Sequence, residues 1–577
     1  MLSNSLAGGL LATSYIVTLV LQLNPTLPLH PVRLAPLVTT VGLFYAIHLT
    51  VGFYVLLVLR QLFARDVFSP AWVSVSVLVW IAALSALAGA AVMWANLSTF
   101  ALVLDETTTG ALSDGAAVLA AVSVCLVMLG LVRWWVGPAW RRTYASVFIV
   151  LTVVSVLAPV AIRGRGVAAP LAARPLDATV EREPVERSAR VVVVAIDAGS
   201  LDFVTAATNQ GRLPNFGRVL DAGAVMRVAT IHPTSAEAVW AAAITGKLPQ
   251  KNGVRSAVTY RLKGGADPIQ LLPEFCFARS LMRFGFLTEE PLDASTFRTR
   301  TLWGILSTRG VSVGVVGWPL TQPAPAVRGY LVSDRYHRLS LEPSGIVDSR
   351  AVYPTDLEDE TARAMEPLPT DAPTADAPAG GRDRRDEKPS QVDRGYDRIA
   401  QELAATRPAQ VTMTRYQSLD PIGHYFLRYA MPYDFGDVSD EERRRLGPVL
   451  ERHYGIVDEA IGRALASLGP DDLLLVVSGY GMDPLGIAQR IAERALGEPE
   501  LSGTHDHAPD GFLLAYGTTV AAGHLAVRAS VADLTPTILY FLGLPIGRDM
   551  DGYARTDLFL PAFTADRPIT FIPTYDR

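Results

Sequence analysis

The sequence predicts an α-helical membrane region followed by an α/β domain with a mostly parallel central sheet. The chain has 577 residues, yet residues 1–162 contain only ten of its 107 Asp, Glu, Lys and Arg side chains. Five apolar stretches recur in that part. After residue 162 the charged fraction is ordinary for a soluble domain, and apolar strand-like runs alternate with helical segments. The chain therefore combines two physical regimes.

Each apolar stretch has the length of about 20 residues that a helix needs to cross the hydrocarbon core of a bilayer. The first stretch has no basic segment before it and four more follow, so we expect a retained helix rather than a cleaved signal peptide. The predicted spans are 5–23, 36–61, 71–95, 113–132 and 144–162.

The loops between the predicted spans differ in charge. Arginines are concentrated between spans two and three and between spans four and five, whereas the loop between spans three and four is acidic. The positive-inside rule makes the arginine-containing loops cytoplasmic, which leaves the remainder of the chain on the extracytoplasmic side. Arginine greatly outnumbers lysine, as is typical of a GC-rich bacterial genome, so the predicted location is a bacterial inner membrane with a periplasmic domain.

Composition excludes two classes of protein. The net charge is −5, the sum of +2 for residues 1–162 and −7 for the rest of the chain. A negatively charged domain disfavours binding to nucleic acid. Cys125 and Cys276 fall in the two different regions, so a disulfide scaffold is not expected. Residues 163–190 lack periodicity and are predicted to be a linker, and residues 366–394, rich in Pro, Ala, Asp and Arg, a disordered surface insertion.

Residues 191–577 show the alternation expected of an α/β domain. Continuous β-branched or aliphatic runs predict strands that are buried on both faces. Chemistry in such sheets lies beyond the carboxyl ends of the strands, where Asp197, Asp420 and the turn 478–481 fall. The predicted strands lie in 191–197, 411–420 and 471–481, and helical segments between them include 213–222 and 453–468.

Eight sequence motifs, in order, resemble the alkaline phosphatase superfamily and, within it, the type I phosphodiesterase and nucleotide pyrophosphatase branch. The resemblance covers residues 191–577 and implies the alkaline phosphatase-like fold. The motifs are VVVVAIDAGS (191–200), GRLPNFGRVLDAGA (211–224), HPTSAEAVWAAAITGKLPQKNGV (232–254), TLWGILSTRGVSVGVVGWPLTQPA (301–324), SLDPIGHYF (418–426), VVSGYGM (476–482), GTHDHAPDGFLLAYG (503–517) and SVADLTPTILYFLGLPIGRDMDG (530–552).

The resemblance implies a metal site, in family members usually one of two zinc sites beside a Ser or Thr nucleophile. One metal is held by an Asp, a His four residues later and a late His. Asp420 and His424 match the first two, and their i, i+4 spacing puts both on one side of a helical turn. The late ligand is His505, by its G-x-H context, or His507, by its distance to Gly511. The expected cofactor is Zn²⁺, as a single divalent ion.

The second metal site implied by the resemblance is incomplete. It draws on Asp197, on the nucleophile and on an Asp-His pair after the strand at 473–477. Gly479 and Tyr480 stand where that pair is expected. Glycine offers no side-chain ligand, and a neutral phenol is a poor substitute for imidazole.

The nucleophile position is also altered. Counting back from Trp240 and from Thr245, as the family spacing implies, gives Ala236 both times. Thr234 and Ser235 lie just upstream and are the candidate catalytic residues. The alternative is that Thr234 forms a T-x-x-E capping box with the Glu three residues later, at the start of a helix over 236–244.

Two functions follow from these observations. The first is a membrane-anchored, extracytoplasmic phosphodiesterase or phosphatase that acts on a phosphate ester, with one metal site kept and the other degenerate. The second is a catalytically inactive member of the fold that serves as a binding or assembly subunit of a membrane complex and holds no metal. Phosphoethanolamine transferases and lipoteichoic acid synthases have a similar layout, which suggests a lipid-linked substrate. The expected partners are the membrane, such a substrate and other membrane subunits.

Overall fold

The computed structural model describes residues 1–64, 74–136, 141–164, 189–274, 278–337, 350–366, 387–431, 435–496 and 499–576. The chain divides into two compact units. Unit 1 comprises Met1–Ala169 together with Arg255–Pro291, and unit 2 comprises Pro170–Val254 and Leu292–Arg577. Most of the predicted linker lies outside the described residues.

Unit 1 is built on long apolar helices. Five helical stretches in the described residues are long and apolar enough to cross a membrane, which confirms the five predicted. In the second of these stretches a short π-helical turn, Val38–Gly42, joins two helices. The helices are α1 (Leu2–Leu23), α2 (Pro31–Leu37), α3 (Leu43–Ala64), α4 (Val75–Phe100), α5 (Glu106–Val136) and α6 (Arg141–Ala161).

The remaining helices belong to unit 2, except α11, which belongs to unit 1. They are α7 (Leu201–Asn209), α8 (Pro214–Ala222), α9 (Ala236–Thr245), α10 (Pro249–Asn252), α11 (Ala278–Arg283), α12 (Leu302–Thr308), α13 (Glu358–Met365), α14 (Glu387–Thr406), α15 (Leu419–Ala430), α16 (Asp440–Leu446), α17 (Pro448–Ser467), α18 (Ile487–Leu496), α19 (Leu534–Phe541) and α20 (Pro561–Ala565). Of the insertion predicted at 366–394, residues 367–386 lie outside the described part, and 387–394 form the first turns of α14.

Unit 2 is built on a ten-stranded sheet with the order β13-β2-β12-β9-β1-β8-β5-β6-β7, to which β14 adds beside β2. The described residues of the two units together form the strands β1 (Val191–Ile196), β2 (Ala224–Ala229), β3 (Val258–Leu262), β4 (Leu287–Pro291), β5 (Val313–Trp318), β6 (Gly329–Ser333), β7 (Val352–Tyr353), β8 (Val411–Tyr416), β9 (Leu473–Ser478), β10 (Asp483–Pro484), β11 (Gly503–Thr504), β12 (Gly511–Tyr516), β13 (Gly523–His524), β14 (Ala529–Ser530), β15 (Ile546–Gly547) and β16 (Phe571–Ile572). Of these, β3 with β4, β10 with β11 and β15 with β16 form separate two-stranded sheets, and β3 and β4 belong to unit 1.

The centre of this sheet is parallel, as the sequence predicts. Strand β1 pairs in parallel with β8 on one side and with β9 on the other. Ile196 lies opposite Tyr416 and opposite Ser478, so the three strands end at the same edge. Antiparallel pairing is found where β12 meets β9 and β2, and where β6 meets β7. The residues that follow β1, β8 and β9 are therefore brought together.

The segment Arg255–Pro291 belongs to unit 1, a division that the sequence did not indicate. Its strands β3 and β4 pair antiparallel. Its buried aliphatic side chains share one core cluster with the membrane-type helices, and burial of that apolar surface is the main force that holds the segment there. The cluster contains Val20, Leu21, Leu27, Leu37, Val41, Phe44, Tyr45, Leu262, Ile269, Leu281 and Leu287.

Two asparagines at the ends of helices fix the backbone of this segment. The buried Asn24 side chain donates to the carbonyl oxygen of Leu271 at 2.7 Å and accepts from the amides of Gln270 and Leu271 at 2.9 and 3.0 Å. Asn96, which is fully buried, accepts from the amide of Glu274 at 2.8 Å. A buried amide without a hydrogen-bond partner costs free energy of folding. The two asparagine side chains supply the hydrogen bonds that a neighbouring strand would otherwise provide.

Replacing Asn24 by alanine is therefore expected to destabilise unit 1 by about 2–4 kcal/mol, because it leaves two buried amides and one buried carbonyl without their side-chain partner. Hydrogen exchange of full-length protein in detergent measures this as faster exchange at Gln270 and Leu271. Thr39→Ala is the matched control, since the Thr39 hydroxyl is exposed and bonds only to its own helix, at Ala35. Equal exchange in the two variants would contradict the assignment.

Candidate functional site

Three side chains gather beyond the carboxyl ends of the central strands. Asp420 and His424 lie in the first two turns of α15, and His505 follows β11. The Nε2 atom of His424 is 3.6 Å from Oδ1 of Asp420, and Nε2 of His505 is 3.4 Å from the same oxygen. The ligand atoms of all three lie within 4.8 Å of one another. In a tetrahedral zinc site with bonds of about 2.0–2.2 Å, neighbouring ligand atoms are roughly 3.3–3.6 Å apart, so the spacing fits such an ion.

The hydrogen bonds of this triad also fit a cation. Nδ1 of His424 lies 2.9 Å from the carbonyl oxygen of Gly503, which can only accept, so Nδ1 carries the proton and Nε2 presents its lone pair. Oδ1 of Asp420 and Nδ1 of His505 are buried and have no hydrogen-bond partner in the described residues. Burial raises the pKa of Asp420, and the two histidines oppose that shift. A divalent ion would satisfy the orphaned oxygen and act there as a Lewis acid toward a phosphate oxygen.

His507, the alternative late ligand, lies apart from the triad. Its ring is 6.1 Å from the ring of His232, and the group of potential ligands that the structure assembles contains His505. Sequence spacing alone did not distinguish the two histidines. The distinction comes from the turn 505–508, which brings only His505 toward α15. The amide of Ala508 bonds to the carbonyl of His505 at 3.0 Å and closes this turn.

Asp197, predicted to bind the second metal, is instead paired with a buried arginine. Its Oδ1 accepts from Nε of Arg415 at 3.0 Å and from the indole Nε1 of Trp240 at 2.6 Å, and its Oδ2 accepts from both Nε and Nη2 of Arg415. The exposed fraction is 1% for Asp197 and 7% for Arg415. The guanidinium thus supplies the positive charge that a metal ion would bring to this carboxylate.

The pKa values of the groups around this ion pair are shifted by burial and by neighbouring charges. Burial lowers the pKa of Arg415, but the charge of Asp197 outweighs it, so the net shift is upward and the guanidinium stays charged. Burial raises the pKa of Glu237 and of Asp334, two carboxyls that also face Arg415. The arginine was not anticipated as a site residue. The one signal for it was a charged residue inside the otherwise uncharged strand that ends at Tyr416.

The turn after β9 leaves little room for a side chain at Gly479. A Cβ atom there would lie 2.3 Å from Cγ1 of Val239, so an aspartate would require the Val239 side chain to move. Tyr480 is fully buried, with its ring 5.4 Å from the ring of His505. Burial raises the pKa of Tyr480 well above its usual value, so its hydroxyl stays protonated and is a poor metal ligand. The turn after β9 therefore presents neither of the two side-chain ligands that the resemblance implies.

The start of α9 shows where the candidate nucleophiles lie. Ala236 is the first residue of the helix, and Ser235 caps it by accepting from the amide of Ala238 at 3.3 Å. The predicted capping box at Thr234 is wrong by one position, because the helix begins at residue 236 and so its cap is residue 235. The hydroxyl of Thr234 instead contacts the carbonyl of Ile231 at 3.0 Å. Neither hydroxyl occupies the nucleophile position that the family spacing assigns to Ala236.

Solved structures with a similar fold are distant in sequence. An inactive point mutant of murine ectonucleotide pyrophosphatase/phosphodiesterase 5, in complex with AMP, is 12% identical, covering 65% of this chain and 100% of its own, with a TM-score of 0.38. A mutant of the alkaline phosphatase PafA is 12% identical (66% and 100% covered, TM-score 0.37), and the phosphonoacetate hydrolase of Sinorhizobium meliloti 1021 is 16% identical (54% and 62%, TM-score 0.34). A comparison with curated protein sequences found no match.

The family assignment rests on the sequence of unit 2. A family model of type I phosphodiesterase / nucleotide pyrophosphatase matches residues 191–523, more than half of the chain. The match begins at the first residue of β1 and extends to β13, so it includes the triad and the Asp197–Arg415 pair. The chain belongs to the type I phosphodiesterase / nucleotide pyrophosphatase family.

Proposed function

We propose that this chain is a membrane protein of the family that binds one divalent cation, Zn²⁺ in the first instance, and uses it to recognise a phosphate ester without the two-metal, nucleophile-based hydrolysis. Asp420, His424 and His505 would hold the ion, and an open fourth position would take a phosphate oxygen. The protein would act as a binding or assembly subunit of a membrane complex.

The observation that carries this proposal is the buried pair of Asp197 and Arg415. Two-metal hydrolysis requires the carboxylate to hold a second ion beside an activated hydroxyl. Here the carboxylate already accepts hydrogen bonds from Arg415 and Trp240, and Ala236 offers no hydroxyl. Restoring any single group would leave the others unsuitable, because groups that act as a unit contribute only together.

The membrane placement is part of the proposal. Five helical stretches in the described residues have the length and hydropathy to span a bilayer. The charge distribution of the loops between them favours a cytoplasmic N-terminus. Unit 2 would then lie on the extracytoplasmic side, in a bacterium the periplasm. Protease added to spheroplasts, whose outer membrane has been removed, should in that case cleave the Pro-rich region near residue 382.

Turnover of a chromogenic phosphodiester, bis(4-nitrophenyl) phosphate, tests the proposal on full-length protein in nanodiscs with Zn²⁺ or Mn²⁺. We expect no turnover above that of Asp420→Ala, and none in Ala236→Thr, because Arg415 still occupies the carboxylate of Asp197. Calorimetric titration should show inorganic phosphate binding only when the metal is present. Metal-dependent turnover that disappears in Asp420→Ala would sink the proposal.

A hydrolytic function is the second candidate, and one contact favours it. The hydroxyl of Thr234 lies 3.3 Å from Nδ1 of His232, and an imidazole beside a hydroxyl can accept its proton once the hydroxyl turns from the carbonyl of Ile231, to which it donates at 3.0 Å. The amide of Thr234 bonds to the carbonyl of Asp506, the residue after His505, which ties this hydroxyl to the loop of the triad. A one-metal phosphate ester hydrolase would then use Thr234 as its nucleophile.

The two candidates predict opposite results for Thr234→Val. If Thr234 is the nucleophile, wild-type protein turns over the phosphodiester and the variant does not, although both bind the same amount of metal. Ser235→Ala is the matched control, since it removes the adjacent hydroxyl and costs only about 1 kcal/mol of helix capping.

A further inference from the structure

Two phenylalanines are exposed at one end of the small sheet in unit 1. Phe284 is 63% exposed and Phe286 is 36% exposed, with ring centroids 6.3 Å apart. They lie between α11 and β4, next to the end of β3. We name residues 263–264 and 283–286 the aromatic tip. Exposed aromatic rings that lie side by side mark a candidate interaction surface.

The backbone of the tip holds the rings outward. The amide of Phe286 donates to the carbonyl oxygen of Leu281 at 2.9 Å, and the amide of Gly285 donates to the carbonyl oxygen of Met282 at 2.8 Å. Together they form the Schellman motif that ends α11, and Gly285 supplies the left-handed residue it needs, with φ of +69°. The amide of Lys263 also bonds to the carbonyl of Phe286 at 3.0 Å, which ties the two sides of the tip together.

The residues beside the tip pack against the apolar helices. Leu262, Leu281 and Leu287 are buried in the cluster that includes Val20 and Leu21 near the end of α1. The tip therefore lies at the level where α1 ends, which in a spanning helix is the boundary between hydrocarbon and headgroups. Apolar rings are stable at this boundary when they face the lipid.

The charges of the tip suit a lipid surface. Lys263 and Arg283 are exposed and flank the two rings. Three of the four acidic side chains of the segment have partners of their own: Asp267 pairs with Arg33, Glu274 accepts from the hydroxyl of Thr99, and Glu290 pairs with Arg261, one residue before the end of β3. The fourth, Glu289, is exposed on β4. Basic side chains beside exposed aromatic rings are the combination by which peripheral segments bind anionic headgroups.

We propose that the aromatic tip inserts Phe284 and Phe286 into the interface of the same bilayer that the five helices span, with Lys263 and Arg283 on anionic phospholipid headgroups. The tip thereby holds the segment 255–291 against the membrane surface. This inference rests on the proposed membrane insertion and is independent of the metal site.

Spin labelling of the full-length chain tests the inference. The only cysteines of the sequence are Cys125 and Cys276, so Cys125→Ser with Cys276→Ser gives a background for single labels at Phe284→Cys and Phe286→Cys. The protein is placed in nanodiscs of equal parts phosphatidylcholine and phosphatidylglycerol, and relaxation by oxygen and by a water-soluble nickel chelate is measured. Cys125, exposed on α5 and labelled in the single variant Cys276→Ser, is the hydrocarbon reference, and Glu289→Cys in the cysteine-free background is the aqueous reference on β4, the strand that follows the tip.

We expect the oxygen-to-nickel ratio at positions 284 and 286 to be several-fold higher than at 289, and to fall when Lys263→Glu and Arg283→Glu are added. Ratios equal to that at 289, with Cys125 in hydrocarbon, would overturn the inference and leave the membrane insertion standing. An aqueous value at Cys125 would overturn both. Insensitivity to the two charge reversals would overturn the headgroup contact.

Discussion

Replacing Arg415 by methionine is expected to lower the free energy of unfolding by about 3–5 kcal/mol, because it leaves the carboxylate of Asp197 buried without a counter-charge. Desolvation of an unpaired charge is far costlier than loss of an exposed ion pair. Thermal unfolding of full-length protein in detergent, followed by circular dichroism, measures the change. The variant also tests whether a metal ion can take the place of the arginine. If Asp197 can bind a second ion, added Zn²⁺ should restore part of the free energy of unfolding that Arg415→Met loses.

Two further variants make this test specific. Asp197→Asn combined with Arg415→Met removes both charges and keeps an oxygen for the indole of Trp240, so it should recover most of the lost stability. Arg407→Met breaks the exposed pair with Asp356 and should cost less than about 1 kcal/mol. A loss in Arg415→Met no larger than in Arg407→Met would contradict the role given to the buried pair.

The second large effect concerns the metal. Saturating Zn²⁺ is expected to stabilise wild-type protein by about 4 kcal/mol at a thousand times its dissociation constant, since an ion that binds only the folded state shifts unfolding by mass action. His505→Ala and Asp420→Asn should lose this stabilisation, because each removes one of the three proposed ligands in the part of the chain that the structure describes. Thermal unfolding with and without Zn²⁺, after removal of bound metal by a chelator, provides the measurement.

His507→Ala is the matched control for the metal prediction. It removes an imidazole two residues from His505, but its ring faces His232 and not Asp420. The variant should keep the full response to Zn²⁺. A response lost in His507→Ala and kept in His505→Ala would assign the late ligand the other way.

The fold followed from the sequence because its signals are local. Apolar runs of membrane-spanning length predicted five helices, and β-branched runs predicted β1, β8 and β9, which pair in parallel. The polar residues after these strands were predicted to meet at one sheet edge, where Asp197 and Asp420 are found. Sequence spacing thus brought forward three residues that the structure places together, Asp420, His424 and His505, although it could not choose between His505 and His507, which are separated by one residue.

What the sequence could not predict depends on contacts between distant residues. Arg415 precedes the end of β8, and only the register that places it opposite Ala195 puts its guanidinium on Asp197. The absence of an aspartate at Gly479 was visible in the sequence. That Val239 closes the space is a fact of packing. The attachment of residues 255–291 to unit 1 rests on Asn24 and buried leucines, which carry no periodic signal in so short a segment.

The number of metal ions per chain tests the central claim most directly. Full-length protein purified in detergent, loaded with Zn²⁺ and passed through a desalting column, is analysed for zinc and protein by elemental analysis of metal and sulfur. The account predicts one zinc per chain in the wild type and in Asp197→Asn, and none in Asp420→Asn. Two zinc ions per chain in the wild type, with one lost in Asp197→Asn, would contradict it.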